Sequence, residues 1–333
     1  MNRPEQGPRV LHVNDCAFTA ANLVHEANGR GLPWTMMPLA ASGQTWAGPV
    51  AQVRRAGLGA AWLSRLAARA ARIDLLHVHF ATVYQHTRLV PRRFVLHCHG
   101  SDVRTLQYDA RYTATIQRAL ANAAAVFYST PDLAEHTLPH RPDAVYLPVP
   151  IDTAALPEWA PTTDTPQVLF SSRWDDSKGL SAQLAIAAGL VKATKGTDVE
   201  VVGLDWGPAA AAARETGVRL LPRRNHTEYL RLLASAHAVV GQSSGILAAS
   251  ELEALGIGVP LLMTADYALY RDATPPVLDA ATTSPDDVVQ AAVHALTDPA
   301  ATAQSQHGPA WVREHHGVVP AVDRALEVYR SLS

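Results

Sequence analysis

Residues 238–262, AVVGQSSGILAASELEALGIGVPLL, limit what the chain can become more than any other stretch. The leading apolar residues predict a short strand that stops at Gly241. A Gln-Ser-Ser-Gly turn follows, then a helical pattern around 249–255 that Gly256, Gly258 and Pro260 close before a second apolar strand. Strand, turn, helix and strand in this order is the repeating unit of an α/β protein. In a parallel sheet such a turn lies at the C-terminal edge, where the next helix aims unpaired N–H groups and the positive end of its dipole. A phosphate suits that position. Glu251 and Glu253 sit in the first turns of the helix, placed for one carboxylate to accept hydrogen bonds from sugar hydroxyls beside the phosphate.

The same alternation runs through the chain. Apolar runs predict strands at 10–13, 36–39, 75–80, 94–97, 125–129 and 144–148, with helices at 20–28, 51–72 and about 112–121. Past residue 152 the pattern restarts, with strands at 168–171, 199–202, 219–221, 238–240 and 260–263. Helices are expected around 180–194, 209–216, 227–236 and 249–255, and another starts at Pro285. Strands spaced by helices of this length imply βαβ units and a parallel sheet covered on both faces.

A chain of 333 residues exceeds one ordinary core, and its 48% hydrophobic content supplies two. The expected organisation is an N-terminal domain over 1–152, a linker over 153–167 with three prolines and four threonines, and a C-terminal domain over 168–333. The last helix, about 319–332, could pack on either domain. Two doubly wound domains with a cleft between them would hold ligands at their C-terminal strand edges.

Composition removes several classes of function. A formal net charge of -2 lacks the basic excess of a general nucleic-acid binder. The two cysteines, Cys16 and Cys98, have no paired spacing, which argues against a disulfide framework or zinc site and predicts a reducing, cytoplasmic setting. The first residues carry no apolar signal-peptide segment. The charge-free window 31–53 is broken by Pro33, Pro38, Gly43, Gly48 and Pro49, so no transmembrane span is expected. The helix over 51–72 places Arg54, Arg65, Arg69 and Arg72 on one face and Leu63, Leu66 and Ala70 on another. It reads as the solvated face of a core-packed helix, with peripheral membrane contact as the less favoured alternative.

Residues 171–179, SSRWDDSKG, follow the first strand of the second half and precede a helix. Arg173 and Lys178 therefore emerge at the same sheet edge as the turn near Gly245. Two fixed cations beside a helix N-terminus make a diphosphate site that neutralises charge on a leaving nucleotide; solvated loop charges are the alternative. Leu221 ends a strand whose following loop would lie on the nucleobase side. His77-Val78-His79 raises a metal question. No Asp-x-Asp pair or carboxylate cluster completes a shell, so no metal is expected.

Arg173 with Lys178-Gly179, and the stretch from Gly245 through Leu252-Glu253-Ala254 to Gly258-Val259-Pro260, resemble the two C-domain signatures of glycosyltransferase family 4. The resemblance implies a GT-B fold, two Rossmann-like doubly wound α/β domains facing a cleft. It also implies a metal-independent, retaining glycosyltransferase with a UDP-, GDP- or dTDP-linked sugar as donor and no other cofactor. Its acceptor would be a small molecule, glycan or lipid. By that match Arg173 and Lys178 hold the diphosphate, Glu253 the ribose, and the turn over 245–249, with Ala248 and Ala249, gives amides to the phosphates. The first Glu of the family's Glu-x7-Glu motif falls on Gly245, which leaves room for an altered activity. A nucleotide-sugar epimerase, a phosphorylase or a non-catalytic binding protein on the same fold are the alternatives.

His99-Gly100-Ser101-Asp102 is similar to the family's His-Gly-x-Asp, so the resemblance makes His99 a contact to the donor sugar. Asp102 then either binds a hydroxyl of donor or acceptor or caps the next helix. His79 ends a neighbouring strand as a further candidate near the sugar. The loop after the first strand, from Asn14 to Thr19, stands where the family has a glycine-rich loop but contains no glycine. Asn14 or Thr19 could give a hydrogen bond to phosphate or acceptor, or the loop could simply cap a helix.

Overall fold

A computed structural model of the protein describes residues 7–39, 48–162, 165–271 and 273–332. The chain divides into two compact units, Met1–Pro150 with Val318–Ser333, and Ile151–Gly317.

In the first unit, β1 (Val10–Val13), α1 (Thr19–Gly29), β2 (Trp34–Met37), α2 (Pro49–Ala70) and β3 (Leu75–His79) are followed by the one-turn α3 (Tyr84–Thr87). Then come β4 (Phe94–Cys98), α4 (Ser101–Arg104), α5 (Thr113–Asn122), β5 (Ala125–Tyr128), α6 (Ala134–Thr137) and β6 (Val145–Tyr146). All six strands are parallel, in the order β2-β1-β3-β4-β5-β6. The order reverses at β1, so the crevice beyond the ends of β1 and β3 is the place where such a sheet takes a ligand.

Period-two alternation divides the strand residues between two cores. Leu11, Val13, Leu76, Val78 and Leu96 face Leu66, Ile116 and Leu120 of α2 and α5. Val10, Leu75, Val95 and Phe127 face the opposite way, toward Leu23 and Ala27 of α1. The first strand of the sheet edge, expected at 36–39, starts two residues earlier because Trp34 is buried in that second core.

The helix α2 departs from the expectation of core packing. Residues 52–61 are exposed throughout, and only the second half is anchored, by Trp62, Leu66 and Ala70. Its first half has few large apolar side chains, and Val50 and Val53 lie in the open.

The second unit runs β7 (Gln167–Phe170), α7 (Leu180–Ala193), β8 (Glu200–Leu204), α8 (Ala210–Glu215), β9 (Arg219–Leu221), α9 (His226–Ser235), β10 (Ala238–Val240), α10 (Ala249–Ile257) and β11 (Leu261–Leu262). Its parallel sheet has the order β11-β10-β7-β8-β9 and reverses between β7 and β10. A small parallel pair, β12 (Thr264–Ala265) and β13 (Leu278–Asp279), was not foreseen. The unit continues through α11 (Pro285–Thr297), α12 (Pro299–Gln306) and α13 (Gly308–His316), and α14 (Val318–Ser331) then returns to the first unit. There Val322, Ala325 and Tyr329 of α14 are fully buried in the core that holds α1. Burying a side chain the size of Val322 contributes about 1.5–3 kcal/mol, and the methyl of Ala325 less.

The stretch read as a linker belongs to the second unit. Ala160 N donates to Ala234 O, Thr162 N to Ser235 O, and Trp159 Nε1 to Ala236 O, so it is laid along the end of α9. Residues 163 and 164 of it lie outside the described residues. Gly256, expected to close a helix, lies inside α10, where a Cβ would come within 2.6 Å of Leu156; Gly258, at φ 90°, ends the helix.

Candidate functional site

In the second unit the loops after β7 and β10 meet at the strand reversal. Ser243 N donates to Lys178 O at 2.9 Å, and Lys178 Nζ donates to Gln242 Oε1 at 2.9 Å. Gly179 permits this closeness: at φ 74° it takes a left-handed turn, and a Cβ would sit 2.4 Å from Ser243 O. Arg173 rises from the same loop, 40% exposed, with Nη2 3.3 Å from Ser177 Oγ and 3.6 Å from Asp175. Its Nε has no hydrogen-bond partner among the described residues. The structure thus brings Arg173 and Lys178 to one edge with the turn that leads into α10.

Glu251 holds this edge together. Fully buried, it accepts from Ser171 Oγ at 3.2 Å, from Gln242 N and Nε2 at 3.3 Å each, and from Ala248 N at 3.0 Å. One carboxylate therefore ties the residue after β7, the turn after β10 and the N-cap amide of α10 into a single piece. A buried charge is tolerable only with this many donors. Sequence reading set Glu251 aside and missed Gln242; only the pairing of β7 with β10 shows what they do.

Glu253, two residues on, is 6% exposed and accepts from His226 Nε2 at 2.6 Å. His226 opens α9, whose start is fixed by a capping box between Asn225 and Glu228. Burial raises the Glu253 carboxyl above its usual range; the hydrogen bond from His226 works against that rise, and neighbouring Glu251 adds to it. His226 was not among the residues the sequence singled out.

Gly245 lies in the same turn at φ 78°, a conformation that disfavours side chains, although a Cβ there would meet nothing closer than Asp266 at 3.7 Å. Ala248 gives its amide to Glu251, which leaves the amides of Ala249 and beyond as the open helix start. Leu221 was expected to meet a nucleobase, but its carbonyl accepts from Asp205 N at 2.8 Å as β9 ends. In the loop beyond it, Arg223 stacks over Trp206 at 5.0 Å.

In the first unit the strand ends carry His99, Asp102, Asn14 and Thr19. Asp102 is fully buried and accepts from the amides of Ala81, His99, Gly100 and Val103 at 2.9–3.3 Å. It pins the His99 loop to the end of β3 from inside α4, whose N-cap is Gly100 without a side-chain cap, so its carboxylate is taken up by backbone amides of that loop. Burial raises its carboxyl, and the four amides oppose the rise.

Asn14 also turns inward, with Nδ2 donating to His79 O at 3.1 Å. Thr19 is buried as the first residue of α1, whose Ala20 N is capped by Asp15 Oδ1 at 2.9 Å. The loop that lacks glycine folds as if it had it. Asn14, Ala17 and Phe18 all take positive φ, at 72°, 50° and 59°.

His79 is fully buried and cannot touch a sugar. It belongs to a set of five imidazoles on the α1 face of β1, β3 and β4, the last of them just past the end of β4: His12, His77, His79, His97 and His99. His12 pairs with His77 across β1 and β3, and His79 with His97 across β3 and β4. Burial pushes His12 and His99 down to about 3 and holds His77, His79 and His97 well below the ordinary imidazole range, with mutual repulsion as a second cause for those three.

Within the set, His12, His77 and His79, and also His79, His97 and His99, each bring one nitrogen within 4.8 Å of the others. Yet the facing nitrogens of His12 and His79 are 3.0 Å apart. Two nitrogens bound to one tetrahedral zinc ion lie about 3.3 Å apart, from Zn–N bonds of about 2 Å, so this spacing fits a direct hydrogen bond and does not by itself separate it from a metal pair. The rings of His77 and His79 stack at 4.2 Å and 17°, so their in-plane lone pairs run side by side instead of converging. The arrangement is one of hydrogen bonds and stacking.

Two parallel doubly wound units define an α/β protein of the GT-B class. No family model and no curated protein matches the sequence. Solved structures do. Sucrose-phosphate synthase from Thermosynechococcus elongatus superposes with a TM-score of 0.68 at 15% identity, covering 97% of this chain and 99% of its own. A putative UDP-N-acetylglucosamine 2-epimerase from Listeria monocytogenes gives 0.62 at 17% identity, covering 97% and 95%. Anabaena HepE, solved with UDP and glucose, gives 0.64 at 12% identity, covering 97% and 100%. Identities this low establish the fold.

Proposed function

We propose that the protein is a nucleotide-sugar-dependent glycosyltransferase, retaining and independent of metal, with the donor held by the second unit and the acceptor by the first. The observation that supports this reading is the fused edge of β7 and β10, which carries Arg173 and Lys178 in the loop bound to the turn that leads into α10. Cations and helix amides there suit a diphosphate, and ligands in such sheets bind where the strand order reverses. Glu253 would accept from the ribose hydroxyls, with His226 steadying the carboxylate. His99 would be the first unit's hydrogen-bonding contact to a sugar. The bond from the anomeric carbon to the diphosphate breaks as the acceptor oxygen bonds to that carbon, and the acceptor proton passes to the departing phosphate. Arg173 and Lys178 stabilise the charge on that leaving group.

Anabaena HepE, solved with UDP and with UDP and glucose, supports a sugar-nucleotide substrate by likeness of fold. The Listeria structure favours a second reading, epimerisation of a nucleotide sugar. Thermal shift against UDP-, GDP- and dTDP-sugars tests the donor, since selective stabilisation by one nucleotide fixes half of the reaction. No stabilisation by any of them overturns the proposal. Incubation with the stabilising nucleotide sugar and no acceptor separates the readings, because only the epimerase alters the sugar.

A further inference from the structure

A parallel-sheet face covered by helices is ordinarily aliphatic. Here three adjacent strands spend four positions of one such face on histidine, His99 follows in phase just past β4, and three of the five rings form a single file. His12 Nδ1 lies 3.0 Å from His79 Nε2, and His79 Nδ1 lies 2.9 Å from His99 Nε2. The ring centroids are 5.3 and 5.1 Å apart with interplanar angles of 27° and 30°. Those separations exceed the N···N distances by about two ring radii, so the rings are arranged head to tail. His77, stacked on His79 and hydrogen-bonded through Nδ1 to Tyr329 Oη of α14, holds the middle ring in place.

A neutral imidazole has one N–H and one lone pair, so a file of three has only two polarities. With the protons on Nδ1, His12 donates to His79, His79 donates to His99, and His12 Nε2 is left as a bare lone pair. With the protons on Nε2 the direction reverses, and His12 Nε2–H becomes a buried donor. His12 Nε2 has no partner among the described residues. Orphaned buried N–H groups are rarer than orphaned acceptors, so the first polarity is the stable one.

We infer that His12 and His79 are positioning residues that lock His99 as its Nδ1–H tautomer, so that it meets a ligand as a hydrogen-bond donor to oxygen and not as a base. Its Nε2 lone pair is consumed by His79, and its remaining nitrogen carries the proton. The relevance to transfer rests on the function proposed above, in which the departing phosphate takes the acceptor proton and His99 has no base to supply. The tautomer itself does not depend on that function.

Long-range ¹H–¹⁵N correlation of the full chain with ¹⁵N-labelled histidine, at pH 7.5, reads the tautomer directly, with the His99 signals assigned by their loss in His99→Gln. The expected result is Nδ1–H at His99, retained in His79→Asn, whose amide N–H replaces Nδ1–H, and lost to Nε2–H in His79→Leu. Nε2–H at His99 in the wild type overturns the inference, whatever the activity, and this measurement stands even if His79→Leu fails to fold. With a nucleotide sugar that turns over, His79→Leu should lower kcat on the order of tenfold or more while nucleotide affinity stays unchanged, and His79→Asn should restore it. An Nδ1–H signal in a protein that transfers no sugar removes the function and leaves the tautomer lock standing.

Discussion

The Glu253 carboxylate accepts from His226 Nε2 at 2.6 Å, joining the second turn of α10 to the first turn of α9. Glu253 is almost enclosed while His226 is partly exposed, so the effect of the pair on a ligand is through orientation: His226 fixes which carboxylate oxygen remains for a partner. Glu253→Gln should weaken nucleotide binding by about 1.5–3 kcal/mol, the range for a hydrogen bond to a charged group, or roughly ten- to hundredfold in Kd. His226→Gln should lose less. Calorimetric titration with the nucleotide that stabilises the wild type measures both, and unchanged affinity in Glu253→Gln would remove it from the nucleotide site.

Arg173 and Lys178 differ in how they are held. Lys178 is tied to Gln242, whereas Arg173 reaches Ser177 and Asp175 only at 3.3 and 3.6 Å. If both act on charge that develops as the diphosphate leaves, alanine at either should cost on the order of a hundredfold in turnover. Lys178→Ala should also lower the melting temperature, because it releases the turn after β10. Steady-state kinetics with scanning calorimetry separates the two effects, and wild-type turnover in both variants would eliminate the mechanism.

Three backbone positions give opposite signs for the same kind of exchange. Gly179→Ala places a Cβ 2.4 Å from Ser243 O at φ 74° and should destabilise by several kcal/mol. Gly245→Ala, at φ 78° with room around it, should cost about 1 kcal/mol from the backbone alone. Ala17→Gly relieves the same strain at φ 50° and should stabilise by about 0.5–1 kcal/mol. Denaturant unfolding of the three variants tests this ordering.

The histidine set makes the protein sensitive to acid. Each of the five is neutral when folded, with its folded value depressed below the ordinary 6.5. The unfolded chain therefore binds more protons below pH 6.5, and stability falls as pH drops from there toward about 3. The slope is about 1.4 kcal/mol per pH unit for each histidine still neutral in the fold. Unfolding at pH 5 should take up close to one proton per member of the set. Urea midpoints from pH 8 to pH 5 check it; a flat profile would mean that the rings are hydrated.

Most of the α/β layout was legible because strand and helix periods differ and the apolar runs are short. The ends of β4, β7 and β10 could be placed well enough to put Arg173, Lys178 and His99 at strand edges. What escaped depends on pairing between distant strands. Glu251 looked like a helix carboxylate until β7 and β10 were seen side by side, and Tyr329 could not be linked to His77 without the return of α14. The histidines were partly visible: His77 with His79 and His97 with His99 alternate as one strand face does, and His12 sits at the same phase in β1. Asp102 and Asn14 were offered as ligands because polar residues at strand ends can be either, and only the fold shows the backbone partners that take up their side chains.

Glu251 has a consequence for how a ligand arrives. Because its four hydrogen bonds are made without one, the turn over 242–248 is held in one shape before any anion arrives, so an anion binding there as proposed would not have to order it. Each rotamer-rich side chain that must be immobilised on association costs about 0.5–1.5 kcal/mol, and this edge has spent that cost during folding. If the proposed donor binds here, ordering of this turn adds no step to its association.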